Sequence, residues 1–341
     1  MGLFDVNNTL IADESMLVEE YVPSEMMHRD GQTQEVANAL KPATVGRSIS
    51  NVFLYGDTGV GKTSLTRWMF RELEKHASTR VKTVYINCWK RPTSHSILTE
   101  ILLKLGVFTN LKQPKNELVD NLEKHCQKNS VSLIVALDEV DQLNDEEILY
   151  TFSRGNIGLV LISNDAYAFM DTDARIKSSL NLRSVEFPKY SADELSSILK
   201  RRAEHALVPG AVNDELLSVI SHKAKGDARV ALDMLKRAAL LAEEKGLAKM
   251  GIDEVMKSVG EEQFLRRDRV LPKLNNDQRI LFDIVENSEG ISTSSLYEKY
   301  SSVASEPIKE RTYRKYMESL VKQKILSAEG EGRWRKYGVG G

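Results

Sequence analysis

A lysine and a threonine set directly behind a run of glycines, and an aspartate and a glutamate closing a later apolar run, are the groups arranged here to do chemistry. The first set lies in Val52-Phe-Leu-Tyr-Gly56-Asp57-Thr58-Gly59-Val60-Gly61-Lys62-Thr63-Ser64, where an apolar run gives way to a glycine-rich loop and then to a helix-like pattern. This is the G-x-x-x-x-G-K-T phosphate loop in the strand-to-helix setting that confirms it. Gly56, Gly59 and Gly61 let the backbone curl so that its N–H groups face phosphate oxygens. Lys62 reaches the terminal phosphates, Thr63 ligates magnesium, and the helix beginning there presents its positive dipole end. The pattern predicts a nucleoside triphosphate site.

The acids stand at the end of Val131-Ser-Leu-Ile-Val-Ala-Leu-Asp138-Glu139. Ligands of open parallel sheets sit beyond the carboxyl ends of the strands, so the pair is expected to face the phosphate loop. Asp138 then serves the magnesium shell, and Glu139 orients and activates an attacking water. An ordinary solvated acid pair is the alternative, since Asp141, Asp145, Glu146 and Glu147 follow. Asn164, at the end of the next apolar run, could bond that water or the terminal phosphate, or be a turn residue. Arg229, in Gly226-Asp227-Ala-Arg229, lies in the first turn of a helix, where a cation calls for an anion nearby. The terminal phosphate and Asp233 are the two candidates. Arg175, in Asp173-Ala-Arg175-Ile-Lys, is either a surface arginine or a finger completing a neighbouring subunit's site.

Short apolar runs at Val52–Tyr55, Thr83–Ile86, Val131–Leu137 and Ile157–Ile162, with a weaker one at Ser184–Phe187, read as buried parallel strands. Helical patterns lie between them: Leu65, Trp68, Met69 and Leu73 share one face, as do Ile97, Ile101 and Leu105. The expected class is α/β, a parallel sheet covered on both sides. From Ser191 the strand signal ends. Ser191-Ala-Asp-Glu194 is a capping box, Pro209-Gly210 breaks the chain, and Gly226-Asp227 stops one helix and caps another. Three domains are expected: a nucleotide-binding core over 1–190, a helical lid over 191–262, and a linker with a further domain over 263–341. Residues 1–20 read as a loosely held lead-in.

With 341 residues, 41% hydrophobic and 28% charged, the chain can bury real cores. A net charge of −2 announces no nucleic acid globally, so any such contact must come from local patches. Cys88 and Cys126 fit neither a disulfide framework nor a metal site and suggest small buried side chains in a reducing cytoplasm. The N-terminus shows no signal-peptide pattern, and no run approaches membrane-spanning length. One patch does stand out in the last domain, where three helical patterns precede a glycine-turned hairpin, the shape of a winged helix. On Ile308–Lys322, Arg311, Arg314, Lys315 and Lys322 share one side, with Thr312 among them, and Tyr313, Met317 and Leu320 share the other. The hairpin carries Arg333-Trp334-Arg335-Lys336-Tyr337. A basic helix suits the major groove or phosphates, and arginines at a narrow tip suit the minor groove.

Taken together these motifs resemble the AAA+ replication initiators of archaea, relatives of the largest eukaryotic origin-recognition subunit and its helicase-loading cousin. The resemblance covers roughly residues 15 to 338. Glu20-Tyr-Val22-Pro23-Ser-Glu-Met-Met-His28-Arg29-Asp30 resembles the leading motif, which implies Val22, Pro23, His28 and Arg29 beside the adenine. Asp138-Glu139, Asn164 and Gly226-Asp-Ala-Arg229 match the second nucleotide motif and the two sensors, and Asp173-Ala-Arg175 the trans-acting arginine segment. Asn87-Cys-Trp-Lys90-Arg91-Pro92-Thr93-Ser94 and the helix that follows align with the family's insertion, which implies DNA contacts from Lys90, Arg91, Thr93 and Ser94. Asp57 departs from the pattern by placing an acid in the phosphate loop, which would weaken nucleotide affinity. The resemblance implies an ATP-dependent initiator that binds double-stranded origin DNA and hydrolyses ATP slowly, as a switch. ATP or ADP with Mg2+ are the cofactors implied. The partners implied are the replicative minichromosome-maintenance helicase and further copies of itself on DNA, in the cytoplasm and with no membrane. A nucleotide-gated winged-helix transcription regulator, or a clamp or helicase loader, is the alternative.

Overall fold

The computed structural model describes residues 9–18, 20–108, 110, 113–155, 157–169, 172–259, 274–288, 290–304, 307–322, 325–330 and 335–339. Two compact units divide at Val259 and Gly260. The first is built on a parallel sheet of β1 (Val52–Gly56), β2 (Val81–Asn87), β3 (Ser132–Asp138), β4 (Gly158–Ser163) and β5 (Arg183–Phe187), in the order β2-β3-β4-β1-β5. The expected runs thus all become strands, most displaced by a residue or two at their ends.

Side chains alternate across the sheet and fill a core on each face. Val52, Leu54, Ile134, Ala136, Val160 and Ile162 pack beneath α1 (Asp30–Leu40) and α2 (Lys62–Ala77), which contributes Leu65, Met69, Phe70 and Leu73. Phe53, Val84, Leu133, Val135, Leu137 and Leu161 face the opposite core. There α3 (Ser94–Lys104), α4 (Lys115–Asn129) and α5 (Glu147–Arg154) supply Ile97, Ile101, Leu118, Leu122, Ile148 and Phe152. A short helix, α6 (Ala174–Leu180), leads into β5. The strand order sets the carboxyl ends of β3, β4 and β1 side by side, with Asp138 in register with Asn87 on β2 and Ile162 on β4.

After the sheet the chain turns helical: α7 (Ala192–Ala206), α8 (Asp214–Lys223), α9 (Ala228–Glu244) and α10 (252–259) close around Leu195, Leu199, Leu217, Ile220, Leu235 and Ala238. Ser191 and Glu194 form the reciprocal cap expected of them, and Asp227 caps α9. Residues 9–18 are not a loose lead-in. Leu10 and Leu17 are 1% and 3% exposed within this helical core. The amides of Leu10 and Ile11 both donate to Glu243 Oε1, and those of Ala12 and Asp13 to the Ala206 carbonyl. Two leucines spaced a few residues apart give a segment this short enough apolar surface to hold it down.

The second unit contains α11 (Asn276–Glu286), α12 (Thr293–Val303) and α13 (Glu310–Lys322) with an antiparallel sheet of β6 (Ile291–Ser292), β7 (Leu326–Glu329) and β8 (Lys336–Val339) in the order β6-β8-β7. Its core gathers Leu281, Phe282, Leu296, Tyr300, Tyr313, Met317 and Leu320, so the apolar side of α13 is the one its periodicity marks.

Candidate nucleotide-binding site

The loop after β1 has the conformation its glycines allow: Gly56, Gly59 and Gly61 hold φ of 144°, 67° and 94°, where a side chain is strained. Gly56 also leaves no room for a Cβ, which would lie 2.3 Å from the Phe187 carbonyl oxygen. Lys62 opens α2 and is only 6% exposed. Its ammonium donates to the carbonyls of Gly56 at 2.8 Å and Asp57 at 2.6 Å, and to Asn164 Oδ1 at 3.0 Å. Burial, partly offset by the Asp138 and Asp57 charges, brings this lysine down to about 8. A buried cation bonded to two carbonyls and an amide is a site prepared for negative charge. Asn164 thus meets the phosphate loop through its side chain.

Beside it stand the acids. Asp138 Oδ2 accepts from Thr63 Oγ1 and from the Tyr85 hydroxyl, both at 2.6 Å, while Oδ1 accepts the Glu139 amide at 2.9 Å. Glu139 adopts φ of 56°, uncommon for a residue with a side chain, and its Oε2 accepts from Asn87 Nδ2 at 3.0 Å. Tyr85 and Asn87 are site residues that the sequence reading missed. Both sit on one face at the carboxyl end of β2, the sheet edge where ligands gather, and polar residues there were the available signal. Burial first, then the Asp138 charge, push the Tyr85 phenol up, so it remains a hydrogen-bond donor. Arg67 lies over its ring at 4.3 Å. Burial pushes the neighbouring Cys88 thiol up to about 12, consistent with a small inert side chain.

A cleft of about 910 Å³ runs from these groups to the helical bundle. Thr58 to Ser64, Asp138, Glu139, Asn164 and Arg229 line one part of it, and Tyr21, Val22, Pro23, Ile198, Arg202 and Leu232 another. Asp227 joins the bundle to the loop: its Oδ1 accepts the Arg229 and Val230 amides, its Oδ2 accepts from Thr58 Oγ1 at 3.2 Å, and the Ala228 amide donates to the Gly59 carbonyl. Asp227→Ala should therefore lower stability by about 1 kcal/mol, the usual loss for a helix cap, read as a drop in melting temperature. Arg229 lines the cleft, and Asp233, one turn further on, pairs with Arg237 at 2.7 Å.

Other expectations are corrected. Arg29 is 2% exposed and does not line the cleft. Its guanidinium donates to the carbonyls of Val60, His28 and Pro188 and stacks on Tyr190 at 3.7 Å, bracing the phosphate loop from within. His28 also lies outside the lining and bonds Ser197 Oγ at 2.6 Å. Asp57, absent from the lining, pairs with Lys189 at 3.3 Å, which offsets the charge expected to oppose phosphates. The wall bearing Val22 and Pro23 is held from α2, where Arg71 donates to both their carbonyls and Trp68 Nε1 to that of Ser24.

Lys90 and Arg91 line the cleft, with Arg91 3.4 Å from Glu100. Thr93 caps α3. Ser94 is 3% exposed and donates to Asp145 Oδ2, so its hydroxyl is unavailable to an external ligand, contrary to expectation. Arg175 is exposed, lies outside the cleft lining and is bidentate to Asp173, which it holds down at about 2 through those hydrogen bonds. In the second unit Arg311, Arg314 and Lys315 are exposed, Thr312 is half-buried, and Arg314 pairs with Glu310 at 2.8 Å. Arg335 lies 5.7 Å from the Tyr337 ring centre and Lys336 is exposed, whereas Arg333 and Trp334 fall outside the described residues.

Residues 47–165 match the sequence profile of the AAA domain, and residues 196–259 that of the Cdc6 AAA+ ATPase-type lid domain. Over 96% of its length the chain is 31% identical to ORC1-type DNA replication protein 1 of Sulfurisphaera tokodaii, of which it covers 88%. The chain belongs to the ORC1-type DNA replication proteins. A second ORC1-type relative, DNA replication protein 2 of Methanosarcina mazei, is 32% identical over 86% of the chain and 83% of its own length. Among solved structures, the Aeropyrum pernix ORC1 protein in complex with DNA aligns with a TM-score of 0.77 at 28% identity, covering 98% of this chain and 94% of that one. This ORC1-type chain thus carries the AAA+ ATPase fold of its family, with nucleotide binding as a family property. The site fits such a ligand: Lys62 presents a buried ammonium beside the glycine loop, and the hydroxyl of Thr63 beside the Asp138 carboxylate is an oxygen pair suited to a hard cation.

Proposed function

We propose that this ORC1-type protein is an ATP-dependent initiator that binds duplex origin DNA and helps recruit the replicative minichromosome-maintenance helicase. The observation that carries the reading is the convergence of Lys62, Thr63, Asp138, Glu139, Asn164 and Arg229 on one cleft. It is supported by a family whose Aeropyrum pernix member was solved with DNA. The second unit's alternation of three helices with a three-stranded antiparallel sheet suits a winged helix. Arg311, Arg314 and Lys315 on α13, with Arg333 to Lys336 on the hairpin, would meet duplex DNA, and Lys90 and Arg91 would add contacts from the first unit. The domains would be a core over 1–190, a lid over 191–262 and the winged-helix region over 263–341.

In this reading Lys62 trades the Gly56 and Asp57 carbonyls for phosphate oxygens, and Asn164 keeps its remaining hydrogen. Thr63 and Asp138 would hold Mg2+, which supplies positive charge against the phosphates. Glu139 orients a water and takes its proton once Asn87 lets go of it. That tether, together with the strained Glu139 backbone, favours slow turnover, a switch more than an engine. Arg229 brings lid geometry under the control of the phosphates, and Arg175 would serve a neighbouring copy on DNA.

Nucleotide affinity should depend on pH through Lys62. Phosphates favour the ammonium, so binding raises a lysine that otherwise sits at about 8, and a proton is taken up wherever the free group is neutral. Affinity is then level below pH 8 and falls above it, by up to about tenfold per pH unit. Titration calorimetry at pH 8.5 in two buffers of different ionisation enthalpy checks the uptake; identical heats would contradict it. The function itself is tested by mapping where the protein binds across its own genome, beside an Arg333→Ala/Arg335→Ala double variant. Sharp peaks at replication start sites, weakened in the variant, are expected. Scattered promoter peaks would make it a regulator, and a flat map a loader.

A further inference from the structure

Asp138 Oδ2 is crowded. A carboxylate oxygen offers about two lone-pair directions. Here the hydroxyls of Thr63 and Tyr85 fill both, each at 2.6 Å, while Oδ1 is engaged by the Glu139 amide. The Thr63 hydroxyl can keep donating to Asp138 while its own oxygen lone pairs face a cation. Tyr85 has no such double role, because its bond to Oδ2 occupies the direction a cation would need.

Tyr85 is held through its ring and through its backbone. Arg67, on the helix that follows the phosphate loop, lies 4.3 Å from the ring centre. Lys104, the last residue of α3, donates to the Tyr85 carbonyl at 2.7 Å and stands 3.5 Å from Glu100. Side chain and backbone of one residue thus connect the acid of β3 with α2 and with α3.

We propose that Tyr85 is a positioning residue that competes with the divalent cation for Asp138, so that metal occupancy of the nucleotide site is set by whether this phenol stays or leaves. The inference rests on the nucleotide reading of the cleft. A cation seated directly on Oδ2 displaces the Tyr85 hydroxyl; one that leaves the hydroxyl in place reaches Asp138 through water or at the Oδ1 lone pair beside the Glu139 amide. Arg67 decides how readily the ring moves, while Lys104 fixes the strand backbone from which it swings.

The test uses the full chain stripped of nucleotide, with Mn2+ as the probe, free Mn2+ being counted by its paramagnetic resonance signal in the presence and absence of ADP. Tyr85→Phe keeps the ring under Arg67 and removes only the hydroxyl. It should tighten Mn2+ binding with ADP by roughly tenfold, the scale of one hydrogen bond to a charged acceptor, while metal-free ADP affinity stays within about twofold and the melting temperature holds. Unchanged or weaker Mn2+ binding with intact ADP affinity would overturn the proposal alone. Failure of the unaltered protein to bind ADP would overturn the nucleotide reading and the proposal with it. Should Tyr85→Phe not fold, Arg67→Lys, which keeps the charge but gives up the planar stack over the ring, must shift Mn2+ affinity in the same direction or the proposal falls.

Discussion

Glu139→Gln should cut ATP hydrolysis by about a hundredfold or more, the usual scale for removing a general base, and leave ATP binding within a few fold. The substitution is nearly isosteric. Its amide oxygen can still accept from Asn87 Nδ2, now 3.0 Å from the carboxylate, so the local arrangement survives. Only the ability to take a proton from water is lost. Single-turnover phosphate release, set beside nucleotide binding by fluorescence, separates the two effects. Hydrolysis persisting near the unaltered rate would remove Glu139 from the role of base and leave Asp138, already bonded to three donors, an unsuitable substitute.

Lys62→Ala should weaken ATP binding by about a hundredfold, near 3 kcal/mol, since a preorganised cation opposite phosphates is lost in a buried site. The effect on the empty protein has the opposite sense. Burial lowers this lysine from 10.5 to about 8, which means that the fold disfavours its charge. Around pH 7 the unfolded chain binds that proton more firmly than the folded one, so the ammonium costs stability there, and less as pH rises through 8 towards 10. The variant should thus melt no lower than the parent by more than the hydrogen bonds to Gly56, Asp57 and Asn164 account for. Binding isotherms and melting curves on the same preparations test both parts; a variant that binds ATP like the parent would refute the assigned role of Lys62.

The chemistry was legible where the physics is local. Gly56 to Thr63 specify their own backbone, and Asp138 announces itself because an apolar strand delivers it to a sheet edge. The core lines were legible for the same reason, through the two-residue alternation of β1, β3 and β4. What could not be read depends on partners remote in the chain. Arg29 looked like a ligand-facing cation, yet its burial comes from Tyr190 and Pro188, on the far side of the sheet in sequence. Ser94 looked available because nothing near it reveals Asp145. Tyr85 passed for an ordinary strand aromatic until Asp138 appeared in front of it. The segment 9–18 looked idle because its acceptor, Glu243, belongs to a helix near the end of the same unit.

Arg29 braces the phosphate loop from inside the protein. Its charge is shut inside the protein and answered by carbonyl oxygens and an aromatic face, with no carboxylate among those hydrogen-bond partners. Dissolved ions cannot reach such a brace, so the loop it supports should keep its shape in brine. Contacts between exposed lysines or arginines and a polyanion behave in the opposite way, because counterions released on association are recaptured as salt rises. Ionic strength would then act on the proposed DNA contacts and spare the phosphate loop, making salt a dial that turns one activity of this chain without turning the other.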